Sequence, residues 1–253
     1  MNGFIAFTKK EFTESVRSYR LLIMLAIFAI FGLLGPLTAK FTPQLLAAFA
    51  PQLDMNMPQP VALDSWVQFY KNVSSLGFSL MIILFSSILS TEYTKGTLTI
   101  MLTKGLSRPA VILAKFTMMV CIMTISLWIC FGITWGYTAY FWQDTSLQHL
   151  FVSALFLWIG GVMYLAVLML GSVVSKGAFT CILLVLGVTV VFSILGMTPF
   201  FEYFNPMLLL TKNIDLINGN ILVSDIIVPM IISLAFSAAC MIASIIIFNR
   251  KQV

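Results

Sequence analysis

Apolar residues along this chain gather into six long runs, at approximately 21–39, 73–91, 116–140, 151–174, 178–198 and 226–248, and none of the six contains Asp, Glu, Lys or Arg. The charged residues are confined to the stretches between and around them. A hydrocarbon layer of about 30 Å takes roughly 20 helical residues to cross, because lipid offers the backbone no hydrogen-bond partners and a helix satisfies them internally. Each run meets that length. The pattern therefore predicts an all-α, polytopic membrane protein with six transmembrane helices, spans 1 to 6 in chain order.

The stretches between the runs differ in kind. Residues 4–19 set Phe4, Phe7, Phe12, Val16 and Tyr19 at helical intervals, with Lys9, Lys10, Glu11, Glu14 and Arg17 largely on the other side. That predicts an N-terminal amphipathic interfacial helix over residues 1–20, ahead of a membrane domain over 21–253. Residues 41–70 are too polar and too rich in proline to cross, so they read as an external loop. Leu45, Leu46 and Phe49 allow one short interfacial helix there, and Trp66, Phe69 and Tyr70 read as an aromatic belt where span 2 enters the bilayer. Between spans 3 and 4 the lone His149 reads as solvent-facing, since no second ligand accompanies it. The segment 199–225 mixes short apolar runs with Asn205-Pro206 and Asn218-Gly219-Asn220, which suits irregular, re-entrant half-helices on the outer face. No tandem repeat is visible.

Composition and charge sharpen this picture. With 60% hydrophobic and 9% charged residues and a mean hydropathy of +1.03, the chain is too apolar for a soluble domain of its length. Lys9, Lys10, Arg17, Arg20, Lys95, Lys104, Arg108, Lys115, Lys176, Arg250 and Lys251 fall on the side of the termini, against Lys40, Lys71 and Lys212 on the other. Because Lys and Arg resist translocation, this bias predicts both termini in the cytoplasm. The net charge of +5 then reflects topology and not nucleic-acid binding, and no basic stripe interleaved with aromatics argues otherwise. The first apolar run is longer than a signal-peptide core and reads as a retained helix. Cys121, Cys130, Cys181 and Cys240 all fall within spans, without metal-ligand spacing, and read as core packing.

The most informative segment is the loop 92–115 between spans 2 and 3. Lys95-Gly96 breaks span 2, and Thr97 is a candidate N-cap. Leu98, Met101 and Leu102 then sit at i, i+3 and i+4 on one side of a short helix closed by Gly105. Ser107-Arg108-Pro109 restarts the chain, with Pro109 suited to the first turn of span 3. An ordinary turn needs only a few residues, whereas this one carries an acid, a breaker, an amphipathic helix and a second cap.

Glu92, Lys95-Gly96-Thr97, Ser107-Arg108 and Lys115 resemble the Glu-x-x-Lys-Gly-Thr … Arg … Lys pattern of type-2 ATP-binding-cassette (ABC) exporter permeases. The resemblance extends over the chain: an N-terminal helix, six spans, a cytoplasmic coupling helix between spans 2 and 3, and an irregular outer segment before span 6. It implies a permease subunit that pairs with a second permease, identical or paralogous, and rides on two copies of a cytoplasmic ABC ATPase subunit. It also implies that Thr97, Leu98, Met101 and Leu102 contact the ATPase, that Glu92 and Arg108 orient the loop, and that Lys95 and Gly96 belong to the same ATPase-coupling set. No phosphate-binding loop occurs in the chain, so no cofactor is expected on it. ATP and Mg belong on the partner ATPase.

Within the membrane the clearest polar feature is Ser75, Ser79, Ser86 and Ser90, which fall within about 60° of one another on span 2 at about 100° per residue. Two readings stay open: a helix-packing face, or, since the second and fifth spans line the cavity in the family it resembles, a translocation path. Gly132 and Gly136 form a Gly-x-x-x-Gly in span 3, a weak motif that reads as close packing only. No ionisable side chain sits in mid-bilayer, which argues against ion-coupled transport, and no His-Glu-x-x-His, intramembrane Asp pair or Ser with a nearby His base supports a membrane hydrolase. The sequence thus leads to a non-catalytic permease of a bacterial cell membrane, exporting hydrophobic or amphipathic cargo such as a drug, an antimicrobial or toxin peptide, or a lipid. The alternative is a carrier or channel that works without an ATPase.

Overall fold

The computed structural model describes residues 2–49, 59–97, 103, 107–142, 147–175 and 177–251. Among them every regular element is a helix, and six are long and apolar enough to cross a membrane: Arg20–Gln44, Ala62–Tyr93, Arg108–Phe141, Leu150–Val174, Ala178–Leu195 and Val223–Arg250. An N-terminal helix, Asn2–Arg17, precedes them and turns into span 1 through Ser18 and Tyr19.

The boundaries depart from the apolar pattern where polar or proline residues join a helix. Span 1 runs as one helix from Arg20 to Phe49 through both Pro36 and Pro43, in place of an external loop beginning at residue 41. Pro36 cannot donate to the Gly32 carbonyl, and that carbonyl accepts instead from the Thr134 hydroxyl of span 3, at 3.2 Å. Span 2 likewise begins at Ala62, eleven residues before its apolar run. Asp64 reaches back to the Val61 amide at 2.9 Å, an acid well placed at a helix N-terminus. Asp225 does the same for Leu222 at the start of span 6.

This early start corrects the aromatic belt. Trp66, Phe69 and Tyr70 are 1%, 0% and 3% exposed, so they form core and not a lipid-facing collar. Trp66 and Phe69 pack edge-on to each other and against Phe131 of span 3, with ring centroids 5.1–6.1 Å apart. Gly35 of span 1 lets the span 2 backbone approach at this level, since a Cβ there would lie 3.3 Å from the Ser65 carbonyl.

Span 2 is not a uniform helix. It widens to a π-turn over Val73–Gly77, continues as Phe78–Phe85, unwinds at 86–89 and ends as Ser90–Lys95. Span 4 is the most buried of the six and packs against spans 3, 5 and 6, while span 5 is the least buried. The segment before span 6 folds into three short helices, Pro199–Glu202, Leu208–Thr211 and Asn213–Ile217. Its Leu209, Leu210, Leu216 and Ile217 are buried, and Leu210 lies against Gly160 of span 4, where a Cβ would come within 2.6 Å of it.

Two further readings change. Cys121 is exposed, whereas Cys130, Cys181 and Cys240 are buried as expected. Among the described residues the pair Gly132 and Gly136 packs against nothing, since a Cβ at either would meet no atom within 4 Å. Both open onto a surface groove of about 530 Å³ with Ile133, Tyr137 and Tyr140. His149 is exposed, as its isolation suggested, and holds a left-handed backbone just before span 4.

Candidate functional site

The charged residues of the termini end converge on the two feet of the loop 92–115. At the entry foot Glu92 sits in the last helical turn of span 2, and Gly96 ends that turn in the left-handed conformation, φ 65°, that glycine adopts without a Cβ penalty. Lys115 lies two turns into span 3. The third contributor is the N-terminal helix, whose packed face carries Phe7, Glu11 and Ser15 at successive turns, all buried. Glu11 was expected on the polar side of that helix. It faces the bundle because Lys115, only 1% exposed, needs counter-charges that span 2 alone does not supply.

The resulting cluster is compact. The Lys115 ammonium donates to Glu11 Oε2 and lies 3.0 Å from both Glu11 Oε2 and Glu92 Oε1. Lys10 Nζ lies 3.0 Å from Glu11 Oε1, 2.6 Å from Glu14 Oε2 and 3.1 Å from Glu92 Oε1. Both ammonium groups also stand over the Phe7 ring, at 5.2 and 5.9 Å from its centre. Burial works against the charged form of Lys10, but its bond to Glu14 and the fields of Glu11 and Glu92 outweigh that and hold it above the ordinary lysine range. Partial burial also disfavours the Glu14 carboxylate, yet the Lys10 bond and the charges of Lys10, Lys115 and Arg20 hold its pKa below the usual value. Among the described residues Glu11, Glu14 and Glu92 are the acids close enough to share a cation, and the Lys10 ammonium already bridges all three.

At the exit foot Ser107 is extended and Pro109 occupies the first turn of span 3, as the sequence suggests. Arg108 turns away from the loop and caps the end of span 6. Its Nη1 lies 3.1, 2.8 and 2.7 Å from the carbonyl oxygens of Phe248, Asn249 and Lys251. Carbonyls at a helix C-terminus lack their usual i+4 amide partners, and a guanidinium there also meets the negative end of the helix dipole. Lys251 continues the chain of caps by donating to the Val173 carbonyl at the end of span 4, at 2.7 Å, with its ammonium 5.1 Å from the Tyr93 ring centre. Arg20 ties the start of span 1 to the unwound turn of span 2 through Ser87 Oγ.

Of the loop itself, Thr97 and Thr103 have helical backbone, so Thr97 is not the non-helical cap expected of it. Leu98, Met101, Leu102 and Gly105, and the Lys95 side chain, lie outside the described residues. The structure therefore brings Glu92 and Arg108 into two anchors and adds Glu11, Lys10 and Glu14, which sequence reasoning left on a solvated face. The available signal was Lys115 itself, a lysine directly before the apolar run of span 3 and with no acid on its own helix.

The serine stripe divides. Ser75 and Ser79 are exposed, Ser86 is buried and Ser90 is half-buried. The hydroxyls of Ser75, Ser79 and Ser86 donate to carbonyls of their own helix, those of Lys71, Ser75 and Ile83. Ser75 and Ser79 thus lie on the open face of span 2 among the described residues, and Leu76 and Ile83 are exposed beside them.

The six-span helical bundle agrees with what a comparison with known families finds. A family model described as ABC-2 family transporter protein matches residues 5–253. No curated protein matches the chain. The matched region takes in the N-terminal helix, all six spans and both feet of the loop, and the chain belongs to the ABC-2 family of transporter membrane subunits.

Proposed function

We propose that this chain is the permease of an ATP-driven exporter, in which the loop 92–115 receives the stroke of a cytoplasmic ABC ATPase. The observation that carries this reading is the pair of anchors. One foot of the loop is fixed by buried charge to span 3 and the N-terminal helix, and the other is fixed to the end of span 6. A loop held so at both feet transmits a displacement to the bundle and does not absorb it.

In this reading the termini end faces the cytoplasm, and the exposed Phe4, Phe12, Val16 and Tyr19 of the N-terminal helix rest in the inner membrane interface. Two permeases, identical or paralogous, sit on two ATPase subunits, which hold the ATP and Mg. Thr97, Leu98, Met101 and Leu102 enter a cleft of the ATPase. ATP binding draws the two loops together, and the bundle opens outward by rigid-body motion. Ser75 and Ser79, exposed on span 2 beside apolar Leu76 and Ile83, line the path for hydrophobic or amphipathic cargo: a drug, an antimicrobial or toxin peptide, or a lipid.

Affinity purification of the tagged chain from its native membrane tests the partnership. An ABC ATPase is expected to come down with the chain in equal amount, with ATP hydrolysis in the purified fraction. A chain recovered free of any ATPase while still moving cargo across vesicles would make it an independent carrier.

A further inference from the structure

We infer that Glu11 and Lys115 latch the N-terminal helix to the root of the coupling loop, so that helix and loop move as one body during the stroke. The inference rests on the coupling reading above, and it makes the N-terminal helix a working part of the machine and not a passive membrane float.

Three elements of the chain each contribute buried charge to one cluster, and none is satisfied alone. Lys115 of span 3 bonds one acid from the N-terminal helix and one from the end of span 2, and Lys10 bonds the same two from the other side. Glu11 and Glu92 are each 4% exposed. Moving the helix away from the loop root would part charges that lie about 3.0 Å from their partners, in a place where water does not replace them.

The rest of the helix supplies little competing adhesion. Its other apolar residues, Phe4, Ile5, Phe12 and Val16, are exposed, and only Phe7 joins the hydrophobic core. An apolar side chain at position 11 would fill the same space, and buried ion pairs seldom add stability over well-packed apolar residues. What a carboxylate adds at that position is register: it meets the Lys115 ammonium of span 3 at 3.0 Å. The helix also has a joint on which to move. Ser18 and Tyr19 separate it from span 1, and Tyr19 holds φ 60°, a left-handed conformation uncommon for a tyrosine.

The loop thus drives different elements through its two feet. The entry foot carries the N-terminal helix through Glu92, Lys115 and Glu11, and the exit foot carries span 6 through Arg108. Glu11 and Lys115 are positioning residues: they touch neither nucleotide nor cargo.

The test uses spin labels in the full chain with its four native cysteines replaced. The first arm needs no ATPase. A label at exposed Thr13 reports the mobility of the N-terminal helix in wild type, Glu11→Gln, Lys115→Met and the charge-keeping control Lys115→Arg. Both single variants that remove charge should raise the mobility, and Lys115→Arg should leave it near wild type, which a mere packing role would not do. The second arm places labels at Thr13, Thr103 and Tyr140 in the permease–ATPase complex, without nucleotide and trapped with ATP and vanadate. The Thr13–Thr103 distance should stay constant while the Thr103–Tyr140 distance changes, and Glu11→Gln should broaden the first. Unchanged Thr13 mobility in both charge-removing variants overturns the latch, as does a Thr13–Thr103 distance that differs between the two wild-type states. If no ATPase associates, the coupling reading fails, and the latch then stands or falls on the first arm.

Discussion

Replacing Lys115 with methionine keeps the bulk of a long side chain and removes one charge from the centre of the cluster. Lys115 lies 3.0 Å from each of Glu11 and Glu92, and all three are nearly inaccessible. At an effective dielectric constant of about 20, one such contact is worth about 5.5 kcal/mol of Coulomb energy before desolvation is subtracted. Removing one partner from a buried pair leaves a charge with neither water nor a counter-ion, and costs about 3–5 kcal/mol. Lys10 remains within 3.1 Å of both acids, so the expected cost falls toward the lower part of that range. The informative variant is the double, Lys115→Met with Glu11→Gln, which removes the cation together with one of the acids it neutralised. The double should be less destabilised than the sum of its singles by about 1–3 kcal/mol, the coupling expected of groups in one network. Thermal unfolding of the purified protein in detergent, scanned at one fixed rate, gives the ranking. Additivity within about 0.5 kcal/mol would mean that the two residues do not share one electrostatic site, and the description of the entry foot would be wrong.

The divided serine stripe predicts divided outcomes: Ser86→Phe forces a ring into a buried site and should cost about 1–3 kcal/mol of stability, whereas Ser79→Phe should leave stability unchanged and alter which cargo is exported. Equal destabilisation by the two would remove the outward face of span 2 from the path. Among the glycines, a Cβ at Gly32 would lie 2.8 Å from the Cys130 backbone oxygen, so Gly32→Ala must spread spans 1 and 3 and lower the unfolding temperature. Gly132→Ala, which meets nothing within 4 Å, should be silent in the isolated chain, and the same scan checks both. Because the Glu14 pKa is held below its ordinary 4.5, the contribution of its carboxylate is complete above that pH and is lost as pH falls through the depressed value. Amide protection along residues 4–17, taken relative to the intrinsic exchange rate at each pH, should therefore fall on acidification below 4.5, and less so in Glu14→Gln.

Much of the fold was legible because lipid imposes a length and a composition on anything that crosses it. All six spans appear where an apolar run of adequate length predicts them. What the runs do not contain is where helices end when the neighbouring chain, and not lipid, satisfies the backbone. Span 1 continues past Pro36 because Thr134 supplies a donor from another helix. Span 2 starts early because Trp66 and Phe69 find partners in span 3. The entry foot was half legible. Glu92, Arg108 and Lys115 stand out by spacing, but Glu11 lies over a hundred residues from Lys115, and helical periodicity alone placed it with the solvated charges. Buried polar pairing is non-local, and a period read along one helix carries no information about it. Gly132 and Gly136 fail the other way, as a short motif that names a packing face without naming a partner.

The central claim is that the loop between spans 2 and 3 couples this bundle to an ATPase. The direct measurement is ATP hydrolysis by the partner ATPase, reconstituted in vesicles with the wild-type chain or with Leu98→Asp and Met101→Asp together. Two unpaired carboxylates forced into an apolar cleft cost several kcal/mol, enough to abolish a micromolar contact, whose whole free energy is about 8 kcal/mol. The wild-type chain should bind the ATPase and stimulate it, while the double variant, still inserted and folded, does neither. Normal binding and stimulation by the double variant would contradict the account.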